Sequence, residues 1–104
     1  MLTSQNMENS FGDTIRRLRE EQNLFLRELS ARLEVDMSLL SKIEHNKRIA
    51  KKELVQKLAK VLNVNYEELL IIWFSDKIVN ELKNENNIEK ILKIAEQKIK
   101  NGKE

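Results

Sequence analysis

Across 104 residues this chain contains no proline and only two glycines, Gly12 and Gly102. Those two residue types supply the fixed or positive backbone angles that tight β-turns need, so hairpin-built sheets have few places to form. The commonest residues instead, Leu, Glu and Lys, lose little on entering a helix, and Arg behaves alike. The expected fold class is therefore all-α.

The apolar fraction of 40% excludes disorder through low hydrophobicity, and aromatics at 5% leave the core to Leu, Ile and Val. The longest apolar run, Leu69 to Phe74, falls far short of the roughly 20 residues of a membrane span, so no membrane partner is expected. The absence of cysteine excludes a disulfide framework, thiolate chemistry and Cys-ligated zinc. Residues Met1 to Asn6 lack the charged and apolar regions of a signal peptide, and a cytoplasmic location is expected. With one histidine, His45, no glycine-rich phosphate loop and no paired metal-ligand spacing, no catalytic residue, metal or cofactor is expected. The chain does not read as an enzyme.

Periodicity divides the chain into helices. Residues 1–9 are polar and patternless and are expected to form a disordered tail. Ser10 with Asp13 makes a capping-box-like start, followed by Ile15 and Leu18 at helical spacing to about Gln22, where Asn23 suits a left-handed terminus. Leu26, Leu29 and Leu33 mark a second helix. Only Glu34, Val35 and Asp36 separate it from a third, with Asp36 as the expected N-cap and Leu39, Leu40 and Ile43 as the apolar stripe. Leu54, Leu58, Val61 and Leu62 define a fourth. Asn65 with Glu68 opens a fifth, which either runs to Leu82 or breaks near Ser75. The cluster Asn84 to Asn87 interrupts the chain before a last amphipathic helix carrying Ile88, Ile91, Leu92, Ala95 and Ile99.

Net charge is only +2, but its distribution is uneven. Between Ser41 and Lys60 seven cations face two anions, a local +5, so the remainder carries −3. A short second helix, a connection of about three residues, a third helix and then a basic loop is the spacing of a helix-turn-helix unit.

The residues themselves then carry a resemblance. Phe11-Gly12-Asp13-Thr14-Ile15-Arg16-Arg17-Leu18-Arg19, Leu29 to Asp36, Leu40-Ser41-Lys42-Ile43-Glu44-His45-Asn46-Lys47-Arg48 and Leu58 to Val64 are similar, in order and spacing, to the lambda-repressor-like, Xre-type helix-turn-helix family. The resemblance implies a compact five-helix DNA-binding domain over residues 10–74, with a C-terminal helical extension over 75–104. It implies double-stranded DNA as partner, with Met37, Ser38, Ser41 and Lys42 where the family contacts base edges. Lys42 is suited to guanine O6 and N7, the serines to any base, and Met37 to a thymine methyl. His45, Asn46, Lys47 and Arg48 match the loop that grips phosphates, and Asn46 stands where glycine is common. Arg19 and Glu44 match positions that form an ion pair between the first and third helices. Two departures stand out. Phe25 and Leu26 replace the usual polar cap and glutamine at the start of the second helix, so that Arg27 takes the phosphate contact or is held by Glu28. Glu34 replaces the usual turn glycine.

The remaining segment is too short for an added ligand-binding domain, and no small-molecule ligand is expected. Its first half is apolar around much of the helix circumference, more than one small core covers. A twofold homodimer is expected, with Leu70, Trp73, Phe74, Ile78, Leu82 and Ile91 at the contact. The function expected is that of a sequence-specific transcriptional regulator acting as a homodimer on a palindromic operator, a repressor or autoregulator such as a restriction–modification controller. An antitoxin-type regulator, and a protein–protein adaptor that kept the fold without DNA binding, are the alternatives.

Overall fold

The computed structural model describes residues 9–102; the expected disordered tail lies almost entirely outside them. Among the described residues there are six α-helices and no strand: α1 Phe11–Glu21, α2 Leu26–Leu33, α3 Met37–Glu44, α4 Lys52–Leu62, α5 Tyr66–Leu82 and α6 Ile88–Gly102. The all-α expectation holds.

The first four helices end in one way. Each puts a residue in the left-handed region, Asn23 (φ 57°), Glu34 (φ 59°), Asn46 (φ 61°) and Asn63 (φ 55°). The following amide reaches five residues back to a carbonyl of the last helical turn, as Leu24 does to Arg19, Val35 to Ser30, Lys47 to Lys42 and Val64 to Ala59. This double return satisfies carbonyls that a helix end would leave unpaired, and it normally uses glycine. A chain almost without glycine uses asparagine, which tolerates the left-handed region better than most residues. Glu34 has no such excuse and carries the steric cost of its Cβ there.

Helix starts follow the sequence less uniformly. Ser10 accepts from the Asp13 amide and Asn65 from the Glu68 amide, as their spacing implies. Asp36 occupies the N-cap of α3 in extended conformation, but its side chain makes no capping hydrogen bond. That expectation is corrected: α3 starts without side-chain help and is held by packing.

The core is aliphatic. Ile15, Leu29, Leu33, Leu40, Ile43, Leu58, Leu62, Leu69 and Ile72 are almost completely buried and come from all of α1 to α5. Helix α1 packs on α3, α4 and α5, α2 packs on α3 and α4, and α4 packs on α5. Buried residues run from Phe11 to Trp73; α6 contributes none.

Helix α5 continues unbroken to Leu82 and has two apolar sides. Leu69, Ile72 and Trp73 enter the core, and the Trp73 indole N–H donates to the Ala50 carbonyl at 2.8 Å. Below them Asp76 accepts from the Phe11 amide at 2.8 Å, closing the start of α1. Burial pushes the Asp76 carboxyl above its ordinary pKa, partly offset by that amide. On the opposite side Ile71, Phe74 and Ile78 stay exposed, with Leu82 half-exposed. Their 3-4-4 spacing lines one face. Trp73 therefore does not belong with the contact residues expected from sequence, because its ring lies on the buried side and fills this chain's own core. Leu70 is half-buried against that core.

Candidate nucleic-acid interface

Helix α3 presents a polar face because its apolar residues are spent on the core. Leu40, Ile43 and Glu44 are buried, whereas Met37, Ser38 and Lys42 are exposed and Ser41 is half-buried. At about 100° per residue, Met37, Ser41, Ser38 and Lys42 share an arc of about 140° opposite Ile43. The four side chains expected to face bases thus lie together on one side of one helix. Lys42 and Arg48 have no ion-pair partner among the described residues.

The basic loop is fixed from beneath. His45 ends α3, its Nδ1 2.8 Å from the Ser41 carbonyl. Asn46 follows in the left-handed region, and its side-chain amide donates to Asp13 at 3.1 Å. Asp13 also accepts from Arg16, whose other nitrogen reaches the Glu44 carbonyl. A Cβ at Gly12 would run into the Ile43 carbonyl and the Asn46 side chain, so α1 approaches the end of α3 as closely as only glycine permits. Lys47 and Arg48 are exposed beyond this anchored turn.

Arg19 and Glu44 form a two-pronged ion pair, Nε to Oε2 at 2.8 Å and Nη2 to Oε1 at 3.0 Å. A third donor of Arg19 reaches the Leu24 carbonyl. The Glu44 side chain is 1% exposed. The hydrogen bond to Glu44 holds the Arg19 guanidinium above its ordinary pKa, against the opposing effect of burial. A buried carboxylate paired in this way fixes the angle of α3 on α1, since tilting α3 would break two charged hydrogen bonds at once.

At the start of α2 the structure shows Arg27 not held by Glu28, one of the two possibilities for it. Glu28 reaches back to the Phe25 amide at 2.9 Å, the one half of a capping box available where the N-cap has no oxygen. Arg27 lies over the Phe25 ring, 4.5 Å from its centre, and makes no ion pair with Glu28. Sequence reading missed that ring contact. The signal was present in an aromatic two residues before an arginine, but a helix start with no hydroxyl gave no reason to look for it.

Among the described residues no group of three His, Cys, Asp or Glu side chains could hold a metal ion, and no helix is long and apolar enough to cross a membrane.

Comparison with known proteins bears on this arrangement. A helix-turn-helix family model matches residues 15–69, more than half of the chain and all of α2, the turn and α3. The HTH-type transcriptional repressor RghR of Bacillus subtilis (strain 168) is 39% identical over 62 residues, 59% of this chain. The chain spans about half of that relative's length, 46% being covered. No solved structure matches significantly.

Proposed function

This chain belongs to the helix-turn-helix family, and we propose that it is a sequence-specific DNA-binding transcriptional regulator, acting as a homodimer on a palindromic operator as a repressor or autoregulator. The observation that carries the reading is the exposed arc of Met37, Ser38, Ser41 and Lys42 on α3, followed directly by Lys47 and Arg48 on a loop anchored to α1. In this unit the second helix enters the major groove, and the first crosses the backbone. The arc reads base edges, and the loop, with Arg27, His45 and Asn46, positions the domain on phosphates.

Residues 10–74 form the DNA-binding part and 75–104 the dimerisation extension. Phe74, Ile78 and Leu82 of α5, with Ile71, form a stripe continuous in spacing, and α6 adds Ile91. Pairing through these faces would set two α3 helices about one turn of duplex apart, roughly 34 Å. Restriction–modification control is one setting for such a regulator. A cytoplasmic location accompanies a DNA-binding role, and neither catalysis nor a cofactor is part of the proposal.

The experiment is duplex binding over a range of salt. Each dimer places roughly 6–10 cations near phosphates, so log affinity should fall against log salt with a slope of about −5 to −9. A slope near zero would favour the adaptor alternative. Replacing Lys42 or Ser38 with Ala should cost roughly 1–3 kcal/mol per half-site on the operator and much less on mixed-sequence DNA. Equal losses on both would remove these residues from base reading.

A further inference from the structure

Phe25 is 60% exposed at the very start of α2, an unfavourable place for a phenyl ring in a protein whose core buries Leu29 and Leu33 of α2 and packs against Leu26. It contributes nothing to capping, since the ring has no acceptor oxygen and its amide is served by Glu28. What it does contact is Arg27, whose guanidinium carbon stands 4.5 Å from the ring centre. The Arg27 guanidinium has no hydrogen bond or ion pair among the described residues. The neighbouring carboxylate, Glu28, accepts from the Phe25 amide instead. The arrangement therefore holds a cation in place while leaving its donors unused.

We propose that Phe25 is a positioning residue for DNA, acting through Arg27 on a backbone phosphate. The inference rests on the DNA-binding reading above. A guanidinium lying on an aromatic face keeps its N–H edges free, because the attraction uses the flat face and the hydrogen bonds lie in the plane. A free arginine side chain loses considerable rotamer freedom on binding. One already restrained by a ring has lost part of it before DNA arrives. The first helix of a helix-turn-helix unit crosses the phosphate backbone, so an oriented cation at the start of α2 meets that backbone without reading bases.

The test measures affinity of the full chain for a fluorescently labelled mixed-sequence duplex across a salt series. Phe25→Leu keeps the apolar volume and removes the aromatic face; circular dichroism confirms that it folds. Phe25→Leu and Phe25→Ala should each lower affinity about 2- to 5-fold per bound protomer, the size of an exposed cation–π contact. Their salt slope should stay at the parent value, because Arg27 still neutralises a phosphate once bound. Arg27→Ala should reduce the slope by about one per protomer. Adding Phe25→Ala to Arg27→Ala should change nothing further, and Phe25→Tyr should restore the parent affinity. Parent-like affinity for Phe25→Leu, or fully additive losses for Phe25 and Arg27, would overturn the inference while leaving DNA binding intact. A parent chain that the duplex does not retain at low salt would overturn the DNA-binding reading and the inference together.

Discussion

Helices α1 and α6 carry similar amphipathic patterns and meet opposite fates. In α1, Phe11, Ile15 and Leu18 are buried against α3, α4 and α5. In α6, Ile88, Ile91, Leu92 and Ile94 remain about two-fifths exposed and Ile99 is 60% exposed. Periodicity states that a face should be covered; it does not say by what. For α1 the cover is the same chain. The apolar side of α6 is left open, and in the proposed dimer a second copy closes it.

The sharpest break of this comparison is a large truncation on each side. Trp73→Ala should cost about 3–5 kcal/mol in a denaturant melt, through a cavity and an unpaired Ala50 carbonyl. Ile91→Ala should leave the melt of dilute protein within about 0.5 kcal/mol, because nothing on α6 is buried. A comparable loss at both positions would mean that α6 belongs to the folding unit. Arg19→Ala comes next. Leaving the Glu44 carboxylate buried and unpaired should cost about 3–5 kcal/mol, with pairs of this geometry at the lower end when one partner is partly exposed. Loss of duplex binding at temperatures where the variant is still helical would show that the pair also orients α3.

Ile91→Glu sharpens the comparison from the other side. The expected result is an unchanged melt for residues 11–62, a mass near 12 kDa by sedimentation, and a steep fall in operator affinity. A folded monomer that still binds the full operator tightly would remove the extension from dimerisation. One change is expected to be a modest gain: Glu34→Gly should stabilise by about 1 kcal/mol, since glycine enters the left-handed region without a Cβ penalty. A melt showing no gain would place other restraints at that turn.

Legibility in the sequence followed the number of forces acting on each residue. Asn23 and Asn46 were readable as left-handed ends because one residue type and one position coincide there. Asp36 was placed correctly and misassigned in action: position sets the N-cap, but rotamer and neighbours decide whether its carboxylate turns inward. Trp73 was assigned to the wrong side of α5 because a helix with two apolar faces has no dominant period to tell them apart. The loop's anchorage was invisible for a different reason. Asn46 meets Asp13 across a sequence separation of 33, and no local pattern encodes such a meeting.

Helix α5 also sets a phase. It has 17 residues, a rod of about 25 Å, clamped at one end by Leu69, Ile72, Trp73 and Asp76 and bare along the other. Rotation accumulates along such a rod at about 100° per residue. One residue inserted after Asp76 would swing Ile78 and Leu82 a quarter-turn or more out of line with Ile71 and Phe74, with every side chain and every apolar area retained. Four inserted residues would bring them back to within about 40° of the original line while lengthening the rod by about 6 Å. In the proposed dimer α5 is then a vernier, on which chain length from Asp76 to Leu82, more than composition, sets the angle and reach of one α3 relative to the other.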